Sequence, residues 1–288
     1  MSNSAAGIPA GSGNGLQGID TSVAHPARRY DYWLGGKDNF AADRHSADEV
    51  EKVFPTIRTT ARQNRAFLRR VVTYLAREAG VRQFIDIGAG LPTAPNVHEV
   101  AQAINPAARI VFVDNDPIVL VHARALLQGT PEGATAYLAA DVREPSRILG
   151  APELHEVLDL REPVALLLIA ILHFLEDADQ PHDRVREYLA ALAPGSYLAI
   201  SHITTDFMDE ATAEASRSLA RTTAPAHFRT SDEVAGFLDG LDMIHPGVVS
   251  VADWRPEPDA ETPPSPAAVS CYGALGRKPA GPGPAGSG

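Results

Sequence analysis

Residues 84–90 read FIDIGAG, an apolar run that carries one acid, Asp86, and breaks into two glycines, Gly88 and Gly90, ahead of the breaker-rich segment LPTAPN. This pattern describes a buried parallel strand ending in a tight turn. The glycines let the backbone lie against a ligand where a side chain would collide, and the polar groups freed at the strand end face the same crevice. An open α/β sheet grips a nucleotide-like cofactor in this way, although glycine-rich strand ends also occur as plain turns. Acids spaced at the ends of later strands separate the two readings.

Downstream, RIVFVDNDP forms a second β-rich run that ends in Asp114, Asn115 and Asp116. Asp and Asn are at home in Asx turns and N-caps. An acid 24 residues beyond Gly90, closing the next strand, is also where one carboxylate takes two hydrogen bonds from a ribose diol. Pro117 opens a helix over 118–127. A third strand over 134–140 leads into Asp141, placed to accept from the exocyclic amine of an adenine. A nearly pure apolar strand comes next at 163–172, as expected of a central parallel strand covered on both faces, and exits into His173 and Phe174. Helices are expected over 97–104, from 154, over 184–192, in an insertion at 206–220 and from Ser231 through Leu238. A fifth strand, SYLAISHIT, leads to Ser201 and His202. Two closing strands, 248–254 and 270–276, flank a Pro-rich segment at 256–266 and suggest an antiparallel hairpin at one sheet edge.

Upstream, the stretch from His25 places Tyr30, Tyr32 and Trp33 within four positions of a chain that is only 6% aromatic, followed by Gly35 and Gly36. It reads as an amphipathic helix with a glycine C-cap. It also reads as a lid over the crevice, with Lys37, Asp38 and Asn39 supplying polar contacts. Helical spacing then runs over 43–79, interrupted at Pro55 and ending near Gly80. Arg62, Asn64 and Arg65 lie at the start of its second part. They belong to a solvated face or face a ligand beneath the lid.

The chain has 288 residues, 44% of them hydrophobic, enough for one large α/β domain. Residues 1–24 and 279–288 read as disordered tails, 25–80 as a helical lid and 81–278 as the core. Lysines and arginines number 25 against 36 acids, a net charge of −11 that disfavours a nucleic-acid partner. A single cysteine, Cys271, excludes an internal disulfide and fits a reducing cytoplasm. No signal peptide is visible, and no apolar run reaches the ~18 residues needed to cross a bilayer. The histidines show no ligand spacing, so no metal site is expected.

The glycine turn, the acids at the second and third strand ends and the closing hairpin resemble a class I S-adenosylmethionine-dependent methyltransferase. The blocks RRYDYWLGGKDNFAADR, RQNRAFLRR, FIDIGAGLPT and VFVDNDPIVLVHARALL are similar to those of an actinobacterial methyltransferase family formerly known as a domain of unknown function. The resemblance implies a Rossmann-like α/β fold, a seven-stranded, mostly parallel sheet with an antiparallel last strand and helices on both faces. It implies S-adenosylmethionine as cofactor. Gly88, Ala89 and Gly90 would face its amino-acid part, Asp114 its ribose hydroxyls with Asn115 beside it, and Asp141 with the Val142 amide its adenine. Asp86 would lie at the base of the turn and Ala170 at the end of the fourth strand. The common turn carries a third glycine where this chain has Pro92.

A nicotinamide dehydrogenase would need GxGxxG, and Leu91, Pro92 and Thr93 come after Gly90 instead. A sensor or scaffold that binds S-adenosylmethionine without turnover shares the cofactor residues, because methyl transfer asks mainly for positioning. On the acceptor side His173 is the candidate general base, its ordinary pKa lying near neutrality. Tyr30, Tyr32, Lys37, Asp38, Asn39, Arg62 and Asn64 are the candidate lid and substrate contacts. No NPPY-like segment succeeds the fourth strand, where ILHFLED stands, and a lidded crevice favours a small-molecule acceptor.

Overall fold

The computed structural model describes residues 20–126, 129–257 and 262–280. The tails expected at 1–24 and 279–288 lie largely outside the described residues, as does part of the Pro-rich segment. Five parallel strands carry the fold: β1 (Gln83–Ile87), β2 (Arg109–Asp114), β3 (Ala134–Ala139), β4 (Ala165–Ile169) and β5 (Tyr197–Ile203). They lie in the order β3-β2-β1-β4-β5. The connections leave β1 in opposite directions on its two sides, and that reversal opens a crevice at the carboxyl ends of β1 and β4. Asp86 is in register with Phe112 on one side and Leu167 on the other.

Three further strands complete an eight-stranded sheet, one more than expected: β6 (Asp242–Met243), β7 (Val249–Ser250) and β8 (Cys271–Arg277). β8 runs antiparallel to β5, with Ser201 opposite Gly273, and both short strands pair with β8. The two expected closing strands, now β7 and β8, therefore do pair antiparallel at this edge of the sheet, with α11 in the connection between them and β6 as a second short partner of β8. The strand expected over 248–254 shortens to two residues because the chain turns to bury Trp254 completely, edge-on to Phe67 at 5.5 Å.

The helices are α1 (Pro26–Leu34), α2 (Ala41–Val53), α3 (Ile57–Arg77), α4 (Val97–Ile104), α5 (Pro117–Leu126), α6 (Pro145–Leu149), α7 (Pro152–Val157), α8 (Pro181–Ala191), α9 (Glu210–Ala220), α10 (Ser231–Gly236) and α11 (Pro266–Val269). Prolines open six of them, where a missing N–H leaves no acceptor unsatisfied. Alternate residues of the central strands feed two cores. Ile85, Val111 and Leu166 pack on one face, and Phe84, Ile110 and Leu167 pack on the other against Phe67, Val71 and Leu75 of α3. α3 thus anchors the amino-terminal helices to the sheet, and α1 and α2 lie over the strand ends. Among the described residues no helix is long and apolar enough to cross a membrane.

Candidate functional site

The turn after β1 has the backbone that its glycines predict. Gly88 and Gly90 sit at φ of 77° and 66°, where a side chain is strained. Gly88 N donates to Val113 O at 2.8 Å, which ties the turn to β2. A Cβ on Gly88 would fall 2.8 Å from Ile171 Cδ1, whereas one on Gly90 would meet no protein atom and would project into open space. The Asp114 carboxylate accepts from Gly90 N through Oδ2 at 2.8 Å and from Asp116 N through Oδ1 at 2.9 Å. Each oxygen thus holds one amide and keeps a lone pair, the donor-ready arrangement that two vicinal hydroxyls require.

Around this turn the other acids differ in their partners. Asp141 accepts from the Asn115 side chain at 2.9 Å and pairs with Arg143 at 3.1 Å, so Asn115 and Asp141 act as one polar unit. Asp86 is buried and receives no hydrogen bond from the described residues. Burial pushes its carboxyl up to about 7, with the Arg65 charge opposing the rise and Asp114 adding to it. Burial also raises the Asp114 carboxyl, against the two amides that lower it. Ala170 follows β4 at a φ of 55°, an uncommon conformation for a residue with a Cβ, and its N–H donates to Ser201 Oγ.

One cavity of about 380 Å3 joins these groups to the space under α1. Asp86, Gly88, Ala89, Gly90, Asp114, Asn115, Asp141, Val142, Ala170, His173, Tyr30 and Asn64 all border it. α1 is fastened over the end of β2 by His25 and Arg28, whose side chains lie 3.1 and 3.4 Å from Asp116. Tyr30 donates its hydroxyl to Ala61 O and accepts from Asn64 Nδ2 at 2.9 Å, which joins α1 to α3.

Five of the lid residues expected from sequence lie outside the cavity lining. Tyr32 is two positions from Tyr30, about 200° around the helix, so its ring packs under the Arg58 guanidinium and its hydroxyl meets Asp48. Lys37 is exposed, Asp38 sits 3.5 Å from His122, and Asn39 is turned back onto Asp31, because the Gly35 cap directs this loop away from the strand ends. Arg62 is exposed on the outer face of α3, and Arg65 borders the cavity in its place, donating to Pro95 O at 3.0 Å. Arg29, Asp31 and Trp33 of α1 and Met208, Leu219 and Phe228 around α9 also border the cavity. A helical period reaches Trp33 from Tyr30, Leu68 from Asn64 and Arg65 from Ala61, a signal present in the sequence.

His173 lies in a 3-10 turn, Leu172–Phe174, directly after β4. Its carbonyl accepts from His227 N at 2.7 Å, and its ring Nδ1 is buried without a partner. Burial holds the imidazole well below its ordinary pKa, helped by His202, Arg229 and Arg29, so it is neutral at physiological pH. His202 does not border the cavity. Its Nδ1 donates to Ile203 O, its Nε2 accepts from Arg229 at 2.9 Å, and burial pushes its pKa down to about 3. Arg229 also donates to Leu172 O and Leu175 O at 3.2 Å, clamping the turn that presents His173.

A family model described as S-adenosyl methyltransferase matches residues 12–279. The chain is 45% identical to a DUF574-family protein from Streptomyces avermitilis, with a TM-score of 0.85 over 90% of this chain and 99% of that one. It is 42% identical to a candidate methyltransferase from Thermobifida fusca, with a TM-score of 0.83 over 92% of this chain and 98% of that one. No curated protein matches it. The match spans both the amino-terminal helices and the sheet, and the chain therefore belongs to the S-adenosyl methyltransferase family, as an S-adenosylmethionine-dependent methyltransferase of class I fold.

Proposed function

We propose that this methyltransferase acts on a small, largely apolar acceptor enclosed under α1, with His173 taking the acceptor's proton. The observation that carries this reading is the continuity of the cavity. It runs from Gly90, Asp114 and Asp141 into a compartment walled by Phe54, Leu68, Met208, Leu219 and Phe228. A methyl acceptor there is shielded from water, and the enclosure leaves little room for a polymer. The net charge of −11 also disfavours nucleic acid, and the single, buried Cys271 suits a reducing cytoplasm.

S-adenosylmethionine fits the strand-end half of the cavity. Asp114 has two free lone pairs for the ribose diol, Asp141 with the Val142 amide suits the adenine, and Gly90, where the space of a side chain is empty, suits the amino-acid part at the Gly88–Gly90 turn. Asp86, buried and unpaired, suits the cofactor's positive charge. The cofactor supplies an electrophilic methyl group on a sulfonium. Ala170 borders the cavity just after β4, and its small side chain would leave the approach to the methyl group open. Residues 25–80 act as a lid on a single domain whose core is 81–278. His173 is neutral, so a ring nitrogen is free to accept, and because burial weakens it as a base it would take the proton only as the acceptor oxygen or nitrogen loses electron density to the methyl group. Orientation under the lid accounts for most of the acceleration.

Calorimetric titration of S-adenosylmethionine into the protein and into Asp114→Ala tests the cofactor half. Micromolar binding that weakens at least tenfold in the variant is expected, since two charge-assisted hydrogen bonds are lost, about 3 kcal/mol. His173→Asn tests the other half against a panel of small phenols, amines and carboxylic acids. It should lower the rate of methyl transfer and leave cofactor affinity unchanged. Equal transfer by His173→Asn would remove the base, and transfer only to a protein or nucleic acid would remove the small acceptor.

A further inference from the structure

Arg29 is the unusual charge in the acceptor compartment. Arg29 borders the cavity and is only 5% exposed. Nη1 donates to Ser46 Oγ at 3.1 Å, Nε is buried with no partner, and no carboxylate lies within ion-pair distance among the described residues. The one acid whose charge reaches it is Asp43, and that carboxylate is already engaged by the amides of His25 and Phe40, each at 2.8 Å, with Arg28 at 3.6 Å. Burial pushes the Arg29 guanidinium down only to about 10, so it stays charged at neutral pH. A desolvated guanidinium with open donors and no counter-ion is an anion site awaiting its partner, because burying a charge is tolerated only when it is paired.

Position identifies the ligand that supplies that anion. Ser46 Oγ, on which Arg29 rests, donates in turn to Thr223 O, so the guanidinium sits where α1, α2 and the segment after α9 meet. Arg29 is tied through Ser46 to the segment after α9, beside the wall formed by Met208, Leu219 and Phe228, whereas Arg65 donates to Pro95 O in the segment that follows the glycine turn. Arg29 therefore faces the acceptor side, and Arg65 the cofactor side. We propose that Arg29 is the anchor of the acceptor, and that the acceptor is a small, largely apolar molecule bearing one carboxylate, held by the guanidinium with its methyl-accepting atom toward His173. This rests on the small-acceptor reading and narrows it to a substrate class. Arginine suits the role because its planar fork binds a carboxylate through two parallel N–H donors.

The test uses benzoate and its neutral isostere benzamide, titrated into the full-length protein saturated with S-adenosylhomocysteine. Benzoate should bind about tenfold more tightly than benzamide. Arg29→Met should erase that preference while leaving benzamide binding, S-adenosylhomocysteine affinity and the melting temperature near those of the parent. Arg29→Lys keeps the charge but loses the fork, so benzoate affinity should fall several-fold with benzamide unchanged. That variant decides the question should Arg29→Met fail to fold, and an unaltered benzoate affinity in it would overturn the proposal. Equal binding of benzoate and benzamide by the parent would overturn the anion site and leave the small-acceptor reading standing. Binding of neither probe would overturn both. Loss of S-adenosylhomocysteine affinity in Arg29→Met would assign the guanidinium to the cofactor's own carboxylate, and would also overturn the proposal.

Discussion

Asp86, next to last in β1, has a buried carboxyl that no described residue hydrogen-bonds, and burial raises its pKa to about 7. In the unfolded chain the same group titrates near the ordinary carboxylate value, about 4. Between those limits the native state holds a proton that the unfolded state has released. Stability from this group is therefore complete below about pH 4, and it is lost as pH rises through about 7. The difference is on the order of a few kcal/mol. Melting curves from pH 5 to pH 8 should show the ligand-free protein losing stability toward the alkaline end, with Asp86→Asn showing a flatter profile. Parallel profiles for the two proteins would mean that Asp86 is already ionised in the ligand-free state. The outcome also bears on the cofactor, since a cation beside an ionised Asp86 would relieve the same burden.

At the scale of the element, α1 is held by a charge cluster rather than by an apolar face. Arg28 is 5% exposed, lies 3.4 Å from Asp116 and 3.6 Å from Asp43, and donates to Asp20 O and Val23 O. Arg28→Met removes the cation shared by two buried carboxylates, leaving Asp43 to its two amides and Asp116 to His25, and should cost about 3 kcal/mol. Hydrogen exchange should accelerate across Pro26–Leu34 before it does in the sheet, and unchanged exchange in α1 would show that the Tyr30–Asn64 contact suffices to hold the helix. The central strands were legible in the sequence because a strand buried on both faces leaves an uninterrupted apolar run. FIDI, RIVFVD and the run after Pro163 coincide with β1, β2 and β4 for that reason. α4 was legible from its Asn105-Pro106 stop. The two-residue β6 was not, because pairing with β8 alone defines it and nothing in two residues is periodic. The crevice acids could be named from chain position, since a strand end points only one way. The cavity-lining residues of α1 and α3 could not, because composition marks an aromatic cluster but only the helical phase separates Tyr30 from Tyr32 and Arg65 from Arg62. Arg29 was hidden for another reason: a buried arginine reads in sequence like any surface one until its missing partner is seen.

Over the whole molecule, one cavity borders both the sheet's strand ends and the amino-terminal helices, so a ligand filling its cofactor half touches elements of unequal stability. The sheet is buried on both faces, whereas α1 rests on partly exposed contacts such as His25 with Asp116, and local opening should begin there. A ligand that binds only the folded chain adds stability by mass action, about 2.7 kcal/mol at a hundredfold excess over its Kd. For a chain of this size that corresponds to a rise in melting temperature on the order of 5–10 °C. Saturating S-adenosylhomocysteine should produce such a shift, and exchange measurements should show whether protection reaches α1 as well as the turn after β1. Protection of both would mean that the lid closes on the cofactor alone, through the clamp at Asp116. A thermal shift with α1 still exchanging freely would mean that the cofactor sits beneath an open lid. Closure would then wait for the acceptor, and an anion delivered to Arg29 would be the contact that draws α1 shut.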